Sequence, residues 1–328
     1  MKEIQSFNFH DLIGIQVISE VPEALHYFEE EYGFAKGPLP EDVQTIRLHW
    51  RKRVPLNKGQ SGFKRHRHKI LARWSYRISF SVEGIEIEVS GNRFAIPMVL
   101  HMLIHPALRY LCSLQRVLML HSSAVARSGK SIVFTGAGGT GKTTASSMLL
   151  ARSDGKWELH ADDYVFITET ANTLAYLTRS HLYRDLLCWV PEIRFRLTTQ
   201  ERIQLEILGR IREVTRDGLK WPVRLTADRL WPDLKVTKSA RLSALVVLNQ
   251  GTDEDFHCSI IQPDEELIDF LIDMNFFEAR HFIRLVEQAP EPSLAVGWLG
   301  EWKRRERDIL KTILRTTSVY RMEIPQDR

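Results

Sequence analysis

The sequence predicts an α/β fold with a smaller β-rich region at its N-terminal end. Three observations carry this prediction. Residues 131–144, SIVFTGAGGTGKTT, pass from an apolar strand through a glycine-rich loop into a helix. A further strand, WELHADDYVFI, follows that helix. Residues 70–90 alternate apolar and polar with a period of two rather than the helical 3.6. At 328 residues, 44% apolar and 26% charged, the chain is long enough to bury a core and to form one large domain or two. The expected division is 1–92 as the β-rich region, for substrate recognition or support, and 93–328 as the domain built around the glycine loop.

Taken in order, residues 11–19 read as a strand. Pro22 stands at a first helical position before EALHYFEEEYG, which closes at Gly33. Gly37, Pro38, Leu39 and Pro40 form a loop, because prolines so close together cannot continue a helix. Residues 70–82 and 84–90 form a hairpin across Glu83 and Gly84, with Ile85, Ile87 and Val89 alternating with Glu86 and Glu88. Between loop and hairpin lies RKRVPLNKGQSGFKRHRHK, 51–69, the densest basic stretch in the chain. It reads either as a solvated loop or as a surface for an acidic peptide or nucleic acid. Its one aromatic residue, Phe63, offers no stacking series, which disfavours nucleic acid.

Residues 96–114 place Val99, Met102, Leu103, Ala107 and Leu111 at helical spacing, with a kink expected at Pro106. QRVLML is a strand that delivers His121, and SSAVA pairs with SIVFTG across Ser128 and Gly129. A helix over 142–152 stops near Ser153, Asp154 and Gly155. Strands are expected at 173–178, 190–196 and 241–248, helices at 264–272, 275–287 and 299–315, and VYRMEI forms a last strand.

Composition excludes several classes. A net charge of +4 is too small at this length to require a nucleic-acid partner. Cys112, Cys188 and Cys258 are odd in number and far apart, so neither a disulfide framework nor a zinc site is expected. The N-terminal MKEIQSFNFHDL lacks the apolar core of a signal peptide. The apolar run 94–120 is interrupted by His101, His105, Arg109 and Arg116, short of the ~20 residues that span a bilayer. A cytoplasmic protein without membrane contact is expected.

The chemistry concentrates in the loop. Gly136, Gly141, Lys142 and Thr143 fit G-x-x-x-x-G-K-[ST] between a strand and a helix, the context that the pattern requires. Gly136, Ala137, Gly138, Gly139, Thr140, Gly141, Lys142, Thr143 and Thr144 would cradle the phosphates of a nucleotide at a helix start. Lys142 would reach the terminal phosphates and the Thr143 hydroxyl a magnesium ion. Phosphoryl transfer also needs a group that orients or deprotonates the acceptor. Asp162 and Asp163, about twenty residues beyond Lys142, are the candidates, one for the metal and one for the acceptor hydroxyl. His121, on the strand before the loop, is placed to orient Asp162 and tune its proton affinity; His160 is its rival.

The series LHSSAVA (120–126), GAGGTGKTT (136–144) and HADDYVFI (160–167) resembles the HPr kinase/phosphorylase superfamily, particularly its HPr-kinase-related serine kinases. The resemblance covers roughly residues 119–167. It implies a P-loop fold like that of phosphoenolpyruvate carboxykinase, with a twisted mixed sheet, and 93–328 as an HPr-kinase-like kinase domain. It implies ATP and Mg2+ as cofactors and a serine of a peptide or protein as acceptor. Asp162 would be the base, His121 its partner, Asp163 and Thr143 metal ligands, and Lys142 the phosphate contact. Where the family carries E-I-R-G-x-G, this chain has Glu192, Ile193 and Arg194 followed by Phe195 and Arg196. Glu192 stands as a third candidate metal ligand, while phosphorylase activity and recognition of HPr do not carry over. The expected function is Mg-dependent transfer of the ATP γ-phosphate to a hydroxyl. The alternatives are a small-molecule alcohol kinase, an ATP-operated switch without transfer, and a nucleic-acid kinase or binder using 51–69. Self-association is left open.

Overall fold

Two sheets organise the chain in a computed structural model that describes all residues except 1, 54–61, 69–70, 153–154, 217–220, 252–255, 290–293, 295–296 and 325–328. The first has six strands: β1 (Glu3–Phe9), β2 (Ile13–Ser19), β3 (Gln44–Trp50), β4 (Lys64–His68), β5 (Ala72–Ser81) and β6 (Gly84–Gly91), in the order β1-β2-β3-β6-β5-β4. The pairs β2–β3 and β3–β6 are parallel and the rest antiparallel. Alternation sets which face is covered: Ala72, Trp74, Tyr76 and Ile78 of β5 are buried, while Arg73, Arg77 and Ser79 meet solvent. Helix Pro22–Tyr32 packs Tyr32 against Phe7 and Phe9, with Phe28 beside Tyr32. Helix Glu265–Glu287 reaches the covered face, where the Tyr76 hydroxyl donates to the Leu285 carbonyl (3.1 Å) and Phe80 meets Phe282.

Residues 1–119 and 265–312 form one compact unit, and 120–264 with 313–328 the other. Compactness therefore groups the chain differently from a cut at residue 92. The apolar helical run 95–114 and helix Glu265–Glu287 join the first sheet because their buried faces pack there. Among the described residues, Ala95–Leu114 is the one helix long and apolar enough to cross a membrane, and 78% of its most apolar window is buried inside the protein. The kink expected at Pro106 takes the form of a π turn, Leu100–Ile104, just before helix His105–Leu114.

The second unit holds β7 (Val117–Arg127) from Leu120 onward, β8 (Lys130–Thr135), β9 (Glu158–Ala161), β10 (Tyr164–Thr168), β11 (Asn172–Leu174), β12 (Ser180–Leu182), β13 (Val223–Leu225), β14 (Ser239–Gln250), β15 (His257–Ile261) and β16 (Ser318–Ile324). Its main sheet runs β11-β10-β7-β8-β14-β16-β15, with β9 also on β7. The pairs β8–β14 and β14–β16 are parallel and the others described are antiparallel, so this is a mixed α/β sheet. β12 and β13 form a separate pair. The turn joining β7 to β8 has Ser128 and Gly129 at φ 51° and 74°, as a tight hairpin requires.

Four expectations are corrected. Residues 190–196 are not a strand; Pro191–Arg196 is a 3-10 turn that buries Ile193 and exposes Glu192, Arg194 and Phe195, and Pro191 has no N–H for a ladder. The strand expected through Asp162 and Asp163 breaks into β9 and β10 at those two residues. The helices expected at 264–272 and 275–287 are one, since nothing between Ile272 and Asn275 breaks a helix. The basic stretch 51–69 ends in strand β4 rather than in a loop; 54–61 and 69 lie outside the described residues. Helix Thr199–Val214 adds to the expected elements, and Thr198 and Glu201 form a capping box at its start.

Candidate active site

β8 ends at Thr135, and helix Lys142–Arg152 begins after the glycine loop. Gly136 has φ +151°, and a Cβ there would meet the Leu248 carbonyl oxygen at 2.6 Å, so only glycine lets the loop leave β8 past β14. Gly141 has φ +88°, again a conformation that suits glycine. Ala137, Gly138 and Gly139 form an exposed tip. The loop is closed by Thr140, whose hydroxyl donates to the Ala137 carbonyl (2.8 Å). Ser123 of β7 donates to the Lys142 carbonyl (2.7 Å), tying the helix start to the sheet. Lys142 is 9% exposed, and its Nζ donates to the carbonyls of Gly136 (2.9 Å) and Ala137 (3.0 Å). The ammonium is thus turned into its own loop beside a helix N-terminus, where anions are favoured.

The acid pair sits at a bend. Asp163 takes φ +68°, and the flanking backbone is held by Ser122 N–H to the Asp163 carbonyl (3.0 Å) and Asp162 N–H to the Tyr176 carbonyl (3.3 Å). In a straight strand the two carboxylates would point to opposite faces; the bend brings them into mutual repulsion. Asp162 Oδ1 accepts from the Thr143 hydroxyl (3.0 Å) and from the Asp163 N–H (3.1 Å). Burial first, then the Asp163 charge, pushes the Asp162 carboxyl up to about 6, against hydrogen bonds from Ser180, Thr143 and the Asp163 backbone. Asp162 is therefore partly protonated near neutral pH and stands beside the residue that follows Lys142.

The histidines divide. His160 is fully buried, with Nδ1 2.6 Å from the Thr237 carbonyl and Nε2 2.8 Å from the Thr173 hydroxyl, a placement that joins three segments of the unit. The His121 ring lies against Tyr164, with centroids 5.3 Å apart, on the strand next to the bend. Nδ1 of His181 on β12 is 3.4 Å from Asp163 Oδ2. Burial, then Arg224 and Arg179, hold the His181 imidazole down at about 3, so it is neutral beside that carboxylate. Sequence reasoning missed His181 and Ser180: β12 carries no motif, and it reaches the acids only through folding.

Tyr183, just beyond β12, also faces the pair. Burial first, then the Asp163 charge, raises its hydroxyl pKa, with Arg212 and Arg224 opposing. Tyr183 lines a hollow of about 350 Å3 together with Arg184, Asp185, Leu205, Arg212 and Trp221. Glu192 sits on the exposed 3-10 turn. Among the described residues no group of three or more His, Cys, Asp and Glu side chains is arranged to hold a metal ion, so the fold does not gather Glu192 with the acid pair into such a cluster. Thr143, Asp162 and Asp163 nevertheless form a set of hard oxygen donors around a poorly compensated buried acid, and this fits magnesium better than a soft metal.

No family model matches the chain, and no curated protein matches it. Among solved structures, the Hpr(Ser) kinase/phosphatase from Coxiella burnetii matches at 10% identity over 53% of this chain and 99% of that chain, with a TM-score of 0.24. A likeness that loose carries no argument about fold or chemistry.

Proposed function

We propose that the chain is an ATP- and magnesium-dependent phosphotransferase of the HPr-kinase-related type, acting on a hydroxyl, foremost a serine of a peptide or protein. The observation that carries this reading is the 3.0 Å hydrogen bond from Thr143 to Asp162, which joins the start of the glycine-loop helix to an acid whose pKa lies near 6. A general base works best with a pKa near the working pH, and Asp162 meets that condition. Lys142 and the loop amides would bind the terminal phosphates, with Lys142 exchanging its carbonyl contacts for phosphate oxygens. Magnesium, when bound, would neutralise charge on the phosphates; Thr143 and Asp163 are its proposed ligands. The neutral His181 would steady Asp163, and His121 is retained as the proposed partner of Asp162. The hollow beside Tyr183 supports entry of the acceptor from the β12 side.

The test is incubation with γ-labelled ATP, magnesium and a lysate of the source cell, followed by mass spectrometry of the labelled species. Label on a peptide or protein serine supports the reading. Label on a small alcohol would replace the acceptor, and label released only as phosphate would favour an ATP-operated switch.

A further inference from the structure

Helix Thr199–Val214 buries little of itself. Leu205 is the one fully buried residue of its 16, while Ile203 and Ile207, one turn apart on the same face, are 55% and 54% exposed. A hollow of about 430 Å3 lies at that face, lined by the apolar Leu187, Ile203 and Ile207 and by Arg194, Arg202 and Arg210. An apolar stripe on a helix ordinarily faces a core; this one faces outward. Single surface isoleucines are common, but these two share a hollow with three cations.

The charges along the helix are divided unequally. Each of its three glutamates has an arginine from another element: Glu201 has Arg229 (2.7 Å), and Glu206 (3.8 Å) and Glu213 have Arg184. Arg202 and Arg210 each stand four residues from Glu206, a spacing that allows an ion pair on a helix, yet Glu206 turns to Arg184 instead. Arg194, Arg202 and Arg210 are therefore exposed without a carboxylate partner among the described residues. Arg202 gives one hydrogen bond, to the Thr199 hydroxyl (3.3 Å).

We infer that this face of helix Thr199–Val214 docks an acidic amphipathic segment of a partner protein, its apolar side chains against Ile203 and Ile207 and its carboxylates on Arg194, Arg202 and Arg210. Apolar contact supplies affinity, and the guanidinium groups select the charge. Other occupants fit less well. A second copy joined about a two-fold axis would set the same arginines against one another. A flat anionic bilayer would meet Glu206, which also lines the hollow, whereas a polypeptide can place its carboxylates around it. Nucleic acid would find no aromatic side chain to stack on among the described residues that line the hollow. Every residue used lies in the second unit, and the inference is independent of phosphoryl transfer.

The experiment measures binding of the full chain to a fluorescent peptide of about 18 residues, long enough to form a helix, with leucine at i, i+3, i+4 and i+7 and glutamate at the flanking positions. Saturable binding is expected, about tenfold weaker in Arg194→Glu/Arg210→Glu and in Ile203→Ser/Ile207→Ser, all four changes lying at exposed positions. The same peptide with lysine for glutamate, or with serine for leucine at unchanged charge, should not bind the wild-type protein, comparisons that need no variant. Absence of saturable binding, equal binding of the serine peptide, or undiminished binding by either folded double variant overturns the inference. Tighter binding to phosphatidylserine vesicles or to single-stranded oligothymidylate than to the acidic peptide overturns it as well. Sedimentation showing a wild-type dimer that Ile203→Ser/Ile207→Ser makes monomeric would give the face to a second copy instead.

Discussion

Two buried ionic sites, one in each unit, are built on opposite principles. In the first unit Arg109 is 2% exposed and furnished on every side. Its Nε and Nη2 reach the two oxygens of Glu306 at 2.7 and 2.5 Å, and its Nη1 donates to the Asn275 carbonyl. Its faces lie 4.4 Å from the Phe276 ring centroid and 4.9 Å from that of Trp302. Glu306 in turn accepts from Trp302 Nε1 (2.8 Å) and Asn275 Nδ2 (3.3 Å). In the second unit two acids are held together in repulsion, and Lys142 donates to neutral carbonyls of its own loop. The first site cancels its charges and locks helices together. The second sets two acids side by side, one of them buried, against the start of the glycine-loop helix. Burial alone therefore does not make two ionic sites alike; opposite charges in contact lock a fold, whereas like charges in contact raise the proton affinity of one of them.

Mutations that test the contrast differ in what they damage. The largest effect is expected for Asp162→Asn, which should lower phosphoryl transfer by about 10²–10⁴-fold, the ordinary worth of a general base, while nucleotide binding measured by calorimetry persists. Unreduced transfer would remove Asp162 from the chemistry. Glu306→Ala should leave Arg109 buried without its carboxylate and destabilise the fold by about 3–5 kcal/mol in urea titration. The double change Arg109→Met/Glu306→Leu should recover much of that loss, as expected when an ion pair serves structure alone.

A subtler consequence follows from proton linkage. The folded-state pKa of Asp162 is raised to about 6, so the native protein binds the proton more tightly than the unfolded chain. The stabilisation this gives is complete below the unfolded value and is lost as pH rises from about 4 through about 6. Asp162→Asn removes this dependence. Relative to wild type, the variant should gain about 2–3 kcal/mol across that interval and no more above it, read as the difference between two urea-titration series. A buried acid that weakens the protein once it ionises would thus be visible without any substrate. The smallest change expected is in the stability of Lys142→Met, within about 1 kcal/mol, since the hydrogen bonds its ammonium gives to Gly136 and Ala137 go to neutral carbonyls. A cost comparable to that of Glu306→Ala would make Lys142 a structural cation and erase the contrast.

The glycine loop, its strand and its helix are legible in the sequence because each is a local decision. Gly136 is required by a carbonyl one strand away, yet the spacing from Gly136 to Thr143 already marks the turn. The hairpins at Ser128–Gly129 and Glu83–Gly84 and the alternation in β5 and β6 are legible for the same reason. Expectations fail where neighbours in space overrule neighbours in sequence. Val190–Arg196 has the apolar residues of a strand but folds as a turn at Pro191. The alternation within HADDYVFI gives no sign of the bend at its acids, since a positive φ at an aspartate carries no compositional signature.

What the sequence by itself determined is the chemical inventory and its local presentation: a glycine-rich loop entering a helix, two adjacent acids, and a basic stretch that includes KRHRH. Short-range backbone preferences and side-chain periodicity are enough to specify these. Only the tertiary structure decided which groups meet. It set Thr143 against Asp162, brought His181 and Ser180 to the acids from β12, and placed Arg67 opposite Arg73. Burial and charge–charge interactions depend on distances through space, and residues far apart along the chain acquire those distances only when the sheets close.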